Sequence, residues 1–89
     1  MKQRYLEVTF RRGKPFAAYL YLPRPSGAKV ARTADAGSGV KIDFDGEDTP
    51  IGVEITAPLA ITTAALNAIL ASFGVGALGP EDLAPLAAA

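Results

Sequence analysis

The stretch VKIDFDGEDTPIGVEI, Val40 to Ile55, holds five of the nine carboxylates in the chain, and its reading decides the fold. Val40, Ile42 and Phe44 alternate with Lys41, Asp43 and Asp45; after the turn formers, Ile51, Val53 and Ile55 alternate with Gly52 and Glu54. A period of two marks a half-buried strand, and the intervening Gly46-Glu47-Asp48-Thr49-Pro50 suits a turn. The stretch therefore predicts a β-hairpin. Pairing Phe44 with Ile51 sets Ile42 on Val53 and Val40 on Ile55. The same register puts Lys41 opposite Glu54 on the other face, a favourable cross-strand pair.

The acids also invite two chemical readings. A calcium loop of the EF-hand type requires glycine at position 6, but counting from Asp43 places Gly46 at position 4 and Asp48 at position 6. Asp43 and Asp45 share a strand face and, with Glu47 or Asp48, make at most a weak divalent-ion site. An acid/base enzyme would draw on Asp43, Asp45 or Glu54, yet nothing in the pattern buries one of them to raise its pKa. Solvated hairpin carboxylates are the simpler expectation, with no catalytic residue and no cofactor.

Upstream, Leu6, Val8 and Phe10 alternate along one strand, and Phe16, Ala18, Leu20 and Leu22 along the next. The turn-forming RRGKP lies between them. Setting Phe10 against Phe16 pairs Val8 with Ala18 and Leu6 with Leu20, so every apolar residue shares one face. The opposite face then carries Tyr5, Tyr19, Tyr21 and Glu7. Proline ends the second strand at Pro23. A short third strand is expected around Lys29–Thr33, followed by a flexible loop at Asp35–Gly39.

Downstream the period changes. Leu66, Ile69, Leu70 and Phe73 fall on one helical face, with Thr62 or Thr63 as N-cap and Gly74 as the C′ residue. Asn67 lies off that face, where alanine would be neutral or slightly stabilising by helix propensity. Gly79-Pro80-Glu81-Asp82-Leu83 reads as a second short helical start, with proline at N1 and acids in the first turn. The closing LAPLAAA is expected to fray.

Composition narrows the function classes. The 89 residues contain no Cys, His or Trp, so disulfide, thiolate and imidazole chemistry are all absent. The net charge is zero but segregated: residues 1–34 carry eight bases against Glu7 alone, and residues 35–89 carry Lys41 against eight acids. Basic strands lying beside acidic ones explain this most simply. A nucleic-acid surface built from Arg11, Arg12, Lys14, Arg24, Lys29 and Arg32, interleaved with tyrosines, is the alternative. The leading MKQRYLEVTFRR lacks the apolar run of a signal peptide. Residues 55–80 are uncharged but interrupted by proline, glycine and hydroxyl side chains, which suits a buried helix better than a membrane span. The cytoplasm is the expected compartment.

Val30-Ala-Arg-Thr33, then Gly39-Val-Lys-Ile-Asp-Phe-Asp45, then Ile51-Gly-Val-Glu-Ile55 resemble the small prokaryotic proteins grouped as domain of unknown function 2283. Ala18-Tyr-Leu-Tyr-Leu22 fits that family's first strand loosely. Phe10-Arg-Arg-Gly-Lys-Pro stands where the family has an acidic first turn, so no role of those acids carries over. The resemblance implies a compact β-meander and no assigned activity.

The chain thus reads as one α+β domain over residues 1–89. An antiparallel β-meander of four to five strands (1–56) has one face covered by a C-terminal helix (57–79), before a short helix or frayed tail (80–89). The expected function is that of a non-catalytic interaction module, self-associating as a homodimer or larger, or binding another protein. Its contact surface would be Tyr5, Tyr19 and Tyr21, because tyrosine is enriched at interfaces.

Overall fold

A computed structural model describes residues 3–87. Five strands, β1 (Tyr5–Arg11), β2 (Lys14–Tyr21), β3 (Arg32–Gly37), β4 (Val40–Phe44) and β5 (Pro50–Ile55), form one antiparallel sheet. Helix α1 (Thr63–Ser72), the single turn α2 (Pro80–Leu83) and a 3₁₀ turn (Ala84–Ala87) follow. Among the described residues no helix is long and apolar enough to cross a membrane.

Tight turns dictate the hairpins. Arg12 and Gly13 join β1 to β2 with φ of 54° and 76°, and Ser38 and Gly39 join β3 to β4 with φ of 55° and 77°. Two successive left-handed residues match the twist of the flanking strands, and glycine takes the second place without steric cost. The expected loop at 35–39 is therefore only this turn. The third strand lies three residues beyond its expected start, because the ARTADAG segment offers no apolar alternation to mark it. The acidic turn is fixed by its own first residue: Asp45 Oδ1 accepts from the backbone N–H groups of Glu47 (2.9 Å) and Thr49 (3.0 Å). Asp48 N–H closes on Asp45 O at 3.1 Å.

The central register is the expected one. Val40 pairs with Ile55, Lys41 with Glu54 and Ile42 with Val53, and in the first hairpin Leu6 pairs with Leu20 and Val8 with Ala18. Near the hairpin ends two pairs differ from expectation. Irregularities between Thr9 and Phe10 and between Asp43 and Phe44 pair Phe10 with Pro15 and Phe44 with Pro50. A bulge inserts one residue and re-aims the side chains beyond it. Phe16 is consequently 49% exposed, its ring beneath the Arg11 guanidinium at 4.3 Å, rather than in the core. Ile51 remains fully buried.

Strand order also departs from a simple meander. It runs β1-β2-β5-β4-β3, so the chain leaves β2, crosses to the far edge, and returns through two hairpins to pair β5 with β2. This is Greek-key connectivity, with the long connection traversed first. The connection passes the acidic turn, where Pro25–Lys29 face Asp45–Glu47 across an open groove.

One face of the sheet is apolar and covered. Leu20, Ile42, Val53 and Ile55 form a single cluster with Leu66 and Leu70 of α1 and with Leu78. Ile69 and Phe73 pack against it, Phe73 with its ring centroid 6.0 Å from that of Phe44. Each fully buried leucine contributes about 1.5–3 kcal/mol, which makes α1 indispensable to so small a sheet. Thr62 Oγ1 accepts from Ala65 N–H at 3.0 Å to start the helix. Val75 N–H to Leu70 O (2.9 Å) and Gly74 N–H to Ala71 O (3.0 Å) end it in a Schellman motif.

Asn67 does not face solvent as its place off the apolar stripe suggests. It takes both backbone groups of Leu78, accepting from N–H at 2.8 Å and donating to C=O at 3.3 Å. Arg4 ties down the same C-terminal segment through Gly76 O, Ala77 O and the carboxylate of Asp82. Of the closing LAPLAAA expected to fray, Leu83 ends α2 and Ala84–Ala87 form the 3₁₀ turn, while Ala88 and Ala89 lie outside the described residues.

Candidate functional site: the tyrosine-bearing face of the sheet

The face turned away from α1 is built in two transverse rows. Strand pairing aligns Tyr5, Tyr21, Gly52, Asp43 and Thr33 in one, and Glu7, Tyr19, Glu54, Lys41 and Asp35 in the next. The side chains of Glu7, Thr33, Asp35, Lys41 and Glu54 are exposed, so nothing in the described chain lies over them.

The three tyrosines meet. The Tyr5 and Tyr21 rings stack with centroids 4.6 Å apart, and Tyr19 meets Tyr21 edge-on at 4.8 Å. Offset and edge-on pairs each add about 0.5–1.5 kcal/mol beyond the area they bury. Their hydroxyls are aimed by carboxylates. Tyr21 Oη donates to Glu7 at 3.1 Å, and Tyr19 Oη donates to Asp43 Oδ2 at 2.6 Å. Thr33 Oγ1 donates to the other oxygen of Asp43 at 2.6 Å, so one carboxylate joins β2 to β3 across two strands. Both are short, charge-assisted bonds.

Tyr19 reaches Asp43 only by crossing Gly52. A Cβ at position 52 would stand 1.8 Å from Tyr19 Oη and 2.4 Å from its Cζ. Glycine inside a strand commonly marks such a close approach. Burial, together with the hydrogen bond to Asp43 and its negative charge, pushes the Tyr19 hydroxyl from 10.0 up to about 12; Arg24 acts in the opposite direction. The hydrogen bond to Glu7 raises Tyr21 as well. At neutral pH these phenols are donors held in place, not nucleophiles or bases. Arg24 itself is anchored to the carbonyls of Leu22 and Ile51, with its guanidinium 5.6 Å from the Tyr21 ring centre.

The acids of the opening stretch are distributed among separate tasks. Asp43 holds the hydroxyl pair, Asp45 caps its turn, Asp48 pairs with Arg32 at 2.9 Å, and Glu54 lies beside Lys41. Among the described residues no three such side chains are grouped to hold a metal ion.

The six bases of the nucleic-acid reading fall at two ends of the sheet. Arg11, Arg12 and Lys14 surround the β1–β2 turn. Arg24 and Lys29 lie in the connection after β2, and Arg32 begins β3, stacked on Phe44 at 3.9 Å on the covered side. The structure therefore brings the tyrosines together and separates the bases. Sequence reasoning placed the tyrosines but missed Asp43, Thr33 and Gly52 as their supports. The lone glycine in the β5 strand is the signal that could have found them.

Comparison with protein-family models, with curated proteins and with solved structures finds no match to this chain.

Proposed function

We propose that this chain is a non-catalytic interaction module that associates with itself through the open, tyrosine-bearing face. One observation supports the reading above the others: Tyr5, Tyr19 and Tyr21 form one cluster of touching rings on the face that α1 leaves uncovered, with Tyr5 50% exposed. Aromatic side chains fixed before contact lose little entropy on binding, which is why tyrosines dominate interface hot spots. The resemblance to domain of unknown function 2283 belongs to the same proposal, and the segments that carry it supply Asp43 and Gly52 to the face.

Sedimentation equilibrium tests the reading. The wild type is expected to associate reversibly with rising concentration, and Tyr5→Ser with Tyr21→Ser to weaken that association by roughly tenfold or more while the fold survives. A folded double variant that associates as well as the wild type would sink the tyrosine face as the contact surface.

A further inference from the structure

The β1–β2 hairpin is longer than the sheet that holds it. Pairing of β2 with β5 stops at Ala18 and Ile55, whereas β1 and β2 remain paired out to Arg11 and Lys14. Three residues of β1 and four of β2, roughly 10–13 Å, therefore run beyond that pairing as a two-stranded finger, with Thr56, Ala57, Leu59 and Ala60 across a groove from its base at Pro15–Ala17. Its tip carries Arg11, Arg12 and Lys14, all exposed, and among the described residues none of the three forms a salt bridge. Phe16, half exposed beneath Arg11, gives the finger an apolar flank.

The open face has the opposite character. Glu7, Glu54 and Asp35 are exposed on it and Asp43 lies among them, four acids against Lys41 within the two rows and Arg24 beside Tyr19 and Tyr21 at one end. Half-exposed Tyr5 with the partly buried Tyr19 and Tyr21, set between carboxylates, makes a receptor for guanidinium groups, which stack on aromatic faces while pairing with acids. Arginine already lies over an aromatic ring three times among the described residues, Arg11 on Phe16, Arg32 on Phe44 and Arg24 near Tyr21. The finger points out of the sheet end remote from Tyr5 and Tyr21, so it cannot fold back onto its own face.

Resting on the self-association reading above, we propose that the basic finger of one copy docks on the acidic tyrosine face of a second copy. The contact is head-to-tail: each copy offers one finger and one face, so assembly continues past the dimer into chains or rings. The segregation of charge along the sequence then has a role between molecules as well as within one.

Two charge variants test it. The finger variant is Arg11→Glu with Arg12→Glu and Lys14→Glu; the face variant is Glu7→Lys with Glu54→Gln. Circular dichroism first establishes that both fold. In sedimentation velocity the wild type is expected to form species larger than a dimer that dissociate as salt is raised, because screening weakens exposed charge pairs. Each variant alone is expected to be monomeric. Their equimolar mixture is expected to form a dimer and nothing larger, since the finger of one and the face of the other remain competent. A wild type that stays monomeric overturns the proposal. So does a wild-type assembly that the finger variant leaves intact; if Tyr5→Ser with Tyr21→Ser still disrupts it, the tyrosine face survives with a face-to-face partner instead. Salt-sensitive binding of single-stranded DNA that the finger variant loses, without self-association, assigns the finger to nucleic acid and also overturns it.

Discussion

Replacing Gly52 with alanine tests the least obvious contact in the site. The new Cβ would stand 1.8 Å from Tyr19 Oη, 2.4 Å from Cζ and 2.8 Å from Cε2, all inside any tolerable separation. The backbone of a central strand cannot yield easily, so the ring must swing away. That movement breaks the 2.6 Å bond to Asp43 and the edge-on contact with Tyr21. A hydrogen bond to a charged group contributes about 1.5–3 kcal/mol and the aromatic contact about 0.5–1.5 kcal/mol. Against this, alanine reduces the freedom of the unfolded chain and returns about 0.4–1 kcal/mol. The net loss is about 1–4 kcal/mol, a large share of the ~5–15 kcal/mol that holds a small domain together. Urea unfolding at constant m-value measures it. Absorbance titration supplies an independent reading, because the Tyr19 hydroxyl held up to about 12 should ionise at lower pH once its bond to Asp43 is broken. In a Tyr19→Ser background the same substitution meets no ring, and it should become neutral or stabilise by about 0.4–1 kcal/mol. A Gly52→Ala protein as stable as its parent, with the tyrosine titration unmoved, would refute the crossing of Tyr19 over Gly52.

Lys41 lies between Glu54 and Asp35 in register, so Lys41→Glu places three acids side by side and should cost about 1 kcal/mol or slightly more. Adding Glu54→Lys restores one neighbour only, so urea unfolding should show partial recovery; full additivity of the two losses would count against the register. Leu70→Ala, at a fully buried site, should cost about 2–5 kcal/mol in the same assay. Asn67→Ala should cost about 1–3 kcal/mol because it strands the backbone groups of Leu78, and a neutral result would show that the clip contributes nothing. Stability should also respond to alkali. The unfolded chain ionises Tyr19 near 10.0 while the folded chain holds its proton to about 12, so this contribution is complete below pH 10 and is lost as pH rises through about 12. Tyr19→Phe should flatten that part of the stability profile, and an unchanged slope between the two proteins would refute the linkage.

How much of this was legible in the sequence depended on range. The β4–β5 hairpin could be read because two alternations and the Lys41–Glu54 charge pair agree on one register. Helix α1 could be read from Leu66, Ile69, Leu70 and Phe73, together with its threonine cap and Gly74. Strand order could not, since alternation within a hairpin says nothing about which strand lies next to it. The bulges were hidden for a similar reason: Phe10 and Phe16 look like partners until the two-residue turn at Arg12-Gly13 fixes the count. Asn67 carried no local mark because its partner is eleven residues away. The tyrosine face was half legible. Three rings on one side follow from the period of two, but Asp43 becomes their anchor only once β5 lies between β2 and β4 and presents a glycine for Tyr19 to cross.

The position of β5 has a consequence in time. It is the last strand synthesised and the middle strand of the sheet. Until residues 50–55 emerge, β2 and β4 each have an inward edge with unpaired backbone groups. Such edges are templates for another chain's strand. At roughly 5–20 residues per second the exposure lasts only a few seconds on a single ribosome. On a crowded message, neighbouring unfinished chains would share it, and a β5 from one could fill the gap in the next. Synthesis rate through Asp45–Ile55 is therefore where this small sheet is most open to strand exchange.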